Sequence, residues 1–305
     1  MRRDLKSMVS KETELCFLTN FDSIEEALKI TLGISGSQIK KQHFSKEFLK
    51  SRVSKEKSFK LPLNLINRGI INPKYLGPEV EILFEDESLI AINKPPEIHC
   101  HPLTYLEQDN CLSFLRENLF FKKSEFAHER NFDPGLLYRL DLGTSGVLFL
   151  VKSKKDYEEI RKNFLSHAKI KTYLAIISGE FNQEGEYRHF FKAFGEKGNK
   201  IMVADIPFAG DSLGEGKIEI KKLGYKEGLT LVSVELGAGI RHQIRAQLAH
   251  LGYPILGDTL YGGEDSERLF LHAYHYKISF ADKVFEVIAK NAPLFGRFFD
   301  LDGIF

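Results

Sequence analysis

Arg139 and Asp141 stand two residues apart in Tyr138-Arg139-Leu140-Asp141-Leu142-Gly143-Thr144-Ser145-Gly146, which runs straight into the apolar stretch 146–151. A carboxylate beside a guanidinium, on a Gly/Thr/Ser-rich loop at the mouth of a buried strand, is how a rigid scaffold presents a reacting group. The bland alternative is a structural Arg–Asp pair at a strand entrance, worth little at a surface. A second cluster, Arg241-His242-Gln243-Ile244-Arg245, follows Gly237-Ala238-Gly239. Packing explains four polar side chains at a helix start poorly, and three of them can be cationic. With Arg241 and Arg245 four apart on one helical face, they repel unless an anion or a carboxylate lies between them. The helix N-terminus adds positive potential. A carboxylate elsewhere in the chain that needs an arginine would account for the cluster better than a solvated basic face does.

Other reactive side chains point to nothing comparable. His99-Cys100-His101-Pro102 and the pair His272 and His275 fit no closed Cys/His zinc spacing, so no metal is expected. Gly237-Ala238-Gly239 lacks the third glycine of a dinucleotide fingerprint. Cys16, Cys100 and Cys111 form no CxxC pair and are odd in number, which predicts free thiols in a reducing, cytoplasmic setting.

The elements that must position these residues follow from hydrophobic rhythm. Residues 80–84 and 89–92 read as a hairpin across Glu85-Asp86-Glu87-Ser88, ended by Pro95-Pro96. Residues 146–151 are an almost continuous apolar strand, and 156–167 an amphipathic helix with Tyr157, Ile160 and Phe164 on one face. Residues 172–177 form another strand. Residues 217–223 and 229–236 pair across Lys226-Glu227-Gly228. Residues 242–251 form a helix stopped by Gly252 and Pro254. Strands outnumber helices and the helices fall between strand pairs. That predicts a mixed, largely antiparallel α+β domain over residues 77–305.

Residues 1–76 differ in charge. Between Lys29 and Lys74 lie eleven basic residues (Lys29, Lys40, Lys41, Lys46, Lys50, Arg52, Lys55, Lys57, Lys60, Arg68 and Lys74) against Glu47 and Glu56. Ile24, Leu28 and Leu32 mark one helical face, and Ser35-Gly36-Ser37 breaks it. A small folded module with a basic face suits phosphate, since each neutralised phosphate releases counterions; a Lys-rich solvated surface is the alternative. Lys+Arg 43 against Asp+Glu 42 leaves the 305-residue chain at a net charge of +1, so a polyanion must be held by a local patch. No apolar run approaches the ~20 residues that span a bilayer. Met1-Arg2-Arg3 continues into Asp4, Lys6 and Ser7 with no apolar core, unlike a signal peptide. Nothing in the pattern demands a second subunit, and a monomer is the default.

Together these segments resemble the RNA pseudouridine synthases of the RluA type, whose signature is Arg-Leu-Asp followed by Thr-Ser-Gly, as in residues 137–152 here. The resemblance extends to residues 81–96, 171–179, 242–262 and 268–273, in the family's order. It implies a pseudouridine synthase catalytic domain and an enzyme that isomerises uridines of rRNA or tRNA, with no cofactor. It makes Asp141 the essential carboxylate, Tyr173 the active-site tyrosine and Arg245 the cation paired with the aspartate. Arg139 would help hold the stack around an extruded uridine, and Arg241, His242 and Gln243 would contact substrate. It also implies that residues 1–76 stand where many relatives carry a small S4-type RNA-binding module. Tyr138 departs from the family's usual histidine, and Ile240 from a basic residue, so the details of RNA contact are where this chain differs. Two alternatives stand beside this. One is a catalytically silent RNA-binding factor on the same fold. The other is a nucleoside glycosidase, which normally needs two acidic residues where the signature holds one.

Overall fold

The computed structural model describes residues 12–17, 19–66, 70–117, 135–162, 164–237, 239–280 and 283–301. Met1 to Ser7, Arg68 and Ala238 lie outside the described residues. The chain divides into two units: Met1–Pro78 with His99–Gly135 and Lys152–Lys154, and Glu79–Ile98 with Leu136–Val151 and Lys155–Phe305.

In the first unit, β1 (Glu12–Cys16) pairs antiparallel with β2 (Ser58–Pro62). Between them run α1 (Ile24–Leu32), α2 (Gly36–Lys40) and α3 (Lys46–Lys50). Ser23, Ser35 and Ser45 cap these helices by accepting the amides of Glu26, Gln38 and Phe48, which satisfies donors that a helix start leaves orphaned. Ile24, Leu28 and Leu32 are buried as their spacing predicts, with Leu15, Phe17, Val53 and Leu61. The core also contains Tyr105, whose hydroxyl accepts the Cys16 amide at 3.1 Å. Beyond it α4 (Cys111–Glu117) buries Leu112 and Leu115 and sends Arg116 to the Ile71 carbonyl. Residues 99–117 therefore belong with residues 12–78, which a boundary at 76/77 does not convey.

The second unit is built on a ten-stranded sheet. Its strands are β3 (Glu81–Glu85), β4 (Leu89–Lys94), β5 (Ser145–Val151), β6 (Ala168–Ser178), β7 (Gly185–Phe194), β8 (Lys200–Ala204), β9 (Gly214–Lys226), β10 (Leu229–Leu236), β11 (Leu271–Phe280) and β12 (Lys283–Ile288). The order is β3-β4-β5-β11-β6-β10-β9-β7-β8, with β12 on β11. Only β5 and β11 run parallel among these described pairings, so the sheet is mixed and largely antiparallel as expected. Every residue of β4 and β5 is buried, which explains why residues 89–92 and 146–151 read as unbroken apolar runs. Residues 156–167 form two helices, α5 (Lys154–Lys162) and α6 (Phe164–His167), and α7 is Gln243–His250. The strands β7, β8, β11 and β12 are not expected from the sequence, although residues 274–280 of β11 and 284–288 of β12 bury alternate side chains. β7 and β11 carry histidines at buried positions (His189, His272), and their partners are supplied from elsewhere in the fold.

Candidate active site

Asp141 occupies the turn that leads into β5, closed by the Thr144 amide donating to the Asp141 carbonyl at 3.1 Å. Two neighbours hold this turn through the Leu142 carbonyl: the Glu97 amide at 3.0 Å and the buried Lys94 ammonium at 3.0 Å. Asn-Lys-Pro-Pro at the end of β4 is thus part of the support for Asp141. The turn must also enter the sheet against β11 at very short range. A Cβ on Gly146 (φ +112°) would meet the Ala273 carbonyl oxygen at 2.2 Å, so only glycine fits there. Beside it, the Ser145 hydroxyl accepts from Arg268 at 2.8 Å and donates to His272 Nδ1 at 2.7 Å. His272 Nε2–H in turn reaches the Ala289 carbonyl at 2.8 Å. Burial, with Arg268 close by, pushes the His272 pKa down to about 4.

Arg245, on α7, faces this turn. Its Nη1 donates to Asp141 Oδ2 at 2.9 Å, while Nε and Nη2 grip both oxygens of Asp258 at 2.7 and 2.8 Å. Side-chain exposure falls from 25% at Asp141 through 11% at Arg245 to 1% at Asp258. The guanidinium is therefore anchored bidentately from the interior and presents one N–H to the outer carboxylate. Burial alone would lower the Arg245 pKa, but the hydrogen bonds and charges of Asp258 and Asp141 outweigh it and hold it above its ordinary value. The carboxylate that the arginine cluster called for is thus two carboxylates. Asp258 was legible only as a Gly-Asp pair shortly after the helix. Gly257 precedes it at φ +83°, and a Cβ there would lie 1.8 Å from the Arg268 carbonyl oxygen.

His242 precedes α7 in the left-handed region (φ 55°), which costs a non-glycine residue about 1–2 kcal/mol. That conformation breaks the helical register, so Arg241 and Arg245 do not share a face. Arg241 is exposed and hydrogen-bonds the Gly198 carbonyl. The Tyr261 hydroxyl accepts the Ile201 amide at 2.9 Å and lies 3.0 Å from His242 Nδ1. The other ring nitrogen, Nε2, lies 3.8 Å from Asp141 Oδ2. Burial lowers the His242 pKa, opposed by Asp141 and reinforced by Arg245 and Arg241. The Tyr261 ring also lies 5.3 Å from the Arg245 guanidinium, a favourable cation–π placement.

Other expected site residues sit differently. Gln243 is buried, and its amide donates to the Lys217 carbonyl and accepts the Ile240 amide, which braces the loop. Arg139 is exposed two residues before Asp141. Tyr173 is nearly buried on β6, its hydroxyl bonded to that of Tyr276. Tyr276 stacks on Tyr138 at 4.8 Å, which links Tyr173 to the Asp141 loop through two rings. Burial, then the neighbouring tyrosines, raise the Tyr276 pKa well above its ordinary value. Lys171, two residues before Tyr173, is buried and donates to the Gly237 carbonyl; burial pushes its pKa down to about 8. Of the histidines weighed as ligands, His99 pairs with Glu107, His275 with Glu286, and His272 is spent as above.

A glycosidase would need a second acid free to act on the bond. Asp258 is buried with both oxygens held by Arg245, so it is not free for that role.

The family model described as RNA pseudouridylate synthase matches residues 88–250. Ribosomal large subunit pseudouridine synthase D of Borreliella burgdorferi is 30% identical over 88% of this chain and 87% of that protein. An uncharacterized RNA pseudouridine synthase of Helicobacter pylori strain J99 is 34% identical over 72% of this chain and 79% of its own length. The solved structure of human RNA pseudouridylate synthase domain containing 4 shares the fold, with a TM-score of 0.53 at 21% identity over 70% of this chain and 89% of that one. With the matched model spanning over half of the chain, and a relative aligned over most of it, the chain belongs to the RNA pseudouridine synthases of the RluA type and is an isomerase.

Proposed function

We propose that Asp141 is the reacting carboxylate of this enzyme and that its substrate is a flipped-out uridine in structured ribosomal RNA. The observation that carries this is the graded chain Asp258–Arg245–Asp141, which keeps one partly exposed carboxylate beside a fixed positive charge. Pseudouridine formation breaks the N1–C1′ bond, turns the uracil and joins C5 to C1′. Whether the carboxylate attacks C1′ or takes a proton at C2′, it reacts as the anion, with the Arg245 guanidinium 2.9 Å away. His242 Nε2 lies 3.8 Å from the same carboxylate. Tyr173, backed by Tyr276, is the group suited to help remove the C5 proton, since a phenol combines an apolar face with an exchangeable proton. Arg139 and Arg241 are the exposed cations nearest in sequence to Asp141 and Arg245, and they serve the RNA backbone around the extruded base. Ribosomal RNA is favoured by the name of the Borreliella relative. Arg245 and its two carboxylates are all present, which favours catalysis over a silent factor on this fold.

The first unit is proposed to bind RNA in the manner of an S4-type module. Lys40, Lys41, Lys46, Lys50, Arg52, Lys55 and Lys57 are all exposed on it. Free thiols at Cys16, Cys100 and Cys111 favour the cytoplasm as the site of action, and no helix among the described residues is long and apolar enough to cross a membrane.

The test is to map pseudouridines in total RNA from cells lacking the protein and supplied with wild type or Asp141→Asn. The variant keeps the shape of the side chain and loses its charge. Expected is the loss of specific pseudouridines with Asp141→Asn while RNA binding persists. Turnover within about tenfold of wild type would overturn the assignment of Asp141.

A further inference from the structure

Outside the Asp141–Arg245–Asp258 chain, three side chains with metal-ligating atoms converge from separate elements. His189 lies on β7, Asp205 directly follows β8, and His250 is the last residue of α7. Asp205 Oδ1 stands 3.0 Å from His250 Nε2 and 3.5 Å from His189 Nε2. The three ligand atoms all lie within 4.8 Å of one another. Ligands at the usual zinc distances in a tetrahedral site are about 3.3 Å apart, so the two shorter edges already have the right size. We propose that His189, Asp205 and His250 form a binding site for a divalent transition metal of the zinc class.

Three features support a cation here. Among the described residues Asp205 forms ion pairs with these two imidazoles alone, so its charge is not taken by a lysine or arginine. His250 ends an eight-residue helix, where unpaired carbonyls carry partial negative charge that favours a cation. The other ring nitrogen of His189 faces the amide of the fully buried Gln247 at 2.9 Å, and Gln247 Oε1 is buried with no hydrogen-bond partner. A half-turn of that amide places Oε1 on His189 Nδ1–H and leaves the Nε2 lone pair for a metal. Such a second hydrogen bond is what orients a ligating histidine. Asp205 is 78% exposed, which leaves a fourth position open to water.

Two imidazoles and one carboxylate suit zinc, cobalt or nickel and disfavour magnesium and calcium, which prefer oxygen ligands throughout. The sequence expectation of no metal rested on spacing along the chain. These ligands are 16 and 45 residues apart, and only the fold assembles them. A bound ion would fasten the end of α7, the helix that carries Arg245, to β7 and to the end of β8.

Isothermal titration of the full-length, tag-free, chelator-stripped protein with ZnCl2 and with MgCl2 tests this. Expected is one saturable zinc site at micromolar concentration, no magnesium site, and a zinc-dependent rise in melting temperature. His250→Ala and Asp205→Asn should each weaken zinc binding by at least about tenfold and remove the rise in melting temperature. His275→Ala, which alters a different His–Glu pair, should change neither. Asp205 is exposed, so its variant keeps the fold, as circular dichroism will verify. Absence of saturable zinc binding, or wild-type affinity in either of the two ligand variants, would overturn the proposal.

Discussion

Arg245 divides its guanidinium between two carboxylates that differ in exposure, 25% for Asp141 and 1% for Asp258. The two should therefore respond differently to the same chemical change. In Asp141→Asn the partner left behind is still held bidentately from the interior, and stability should change little. In Asp258→Asn a buried guanidinium loses its anchoring charge. Removing one partner of a buried pair costs about 3–5 kcal/mol, and the amide that replaces the carboxylate recovers a part through its oxygen. Urea unfolding should therefore show a loss of about 3 kcal/mol for Asp258→Asn, well above that for Asp141→Asn. Single-turnover assays should show the reverse order, with Asp258→Asn slowed and Asp141→Asn inactive. Equal stability of the two variants would mean that the interior anchor is not what holds Arg245.

Among the elements, the decisive junction is where β5 meets β11. Gly146 lets the two backbones approach, and Ser145, Arg268 and His272 tie the junction with hydrogen bonds. His272 is fully buried and stays neutral down to about pH 4, against an ordinary value near 6.5. Its folded pKa lies below its unfolded one, so below about pH 6.5 the unfolded chain takes up a proton that the folded chain refuses. The stability tied to His272 is thus fully present above about pH 6.5 and is lost as the pH falls toward 4, by about 3 kcal/mol. His272→Asn removes the titrating group. The advantage of wild type over this variant, measured by urea unfolding, should shrink between about pH 7.5 and about pH 4.5. A constant advantage would show that another group controls the acid sensitivity.

Across the molecule as a whole, a net charge of +1 conceals a basic stretch in the first unit, Lys29 to Lys74, with eleven Lys and Arg against Glu47 and Glu56. Truncation at residue 76 is a poor way to test that unit, because Tyr105 belongs to its core and would lose its packing. Neutralising exposed cations in the full chain is cleaner. Lys46→Gln, Lys50→Gln and Lys55→Gln together should weaken RNA binding and flatten its salt dependence. For every phosphate that goes unneutralised, the logarithmic slope should fall by about 0.7–0.9. Single-turnover rates at saturating RNA should stay near wild type, since none of the three belongs to the Asp141 site. Unchanged affinity and slope in filter binding would remove the RNA-binding role of this unit.

Elements whose burial is continuous or regularly spaced are legible in the residues alone: the hairpin of β3 and β4, the strand β5, the pairing of β9 with β10, and the amphipathic faces of α1 and α7. The Arg241–Arg245 cluster is legible too as one that needs a carboxylate, and Asp141 stands 2.9 Å from Arg245, whereas the role of Asp141 came from the family resemblance and not from packing. Where polar residues find partners across long separations is settled by the folded chain. Asp258 becomes the interior anchor of Arg245, His272 becomes a legitimate core residue through Ser145 and Ala289, and Gln243 turns inward onto Lys217. In β7 and β11 the buried histidines are likewise satisfied only once distant segments arrive. Local rhythm records which residues leave water, and polar satisfaction depends on contacts that no local pattern carries.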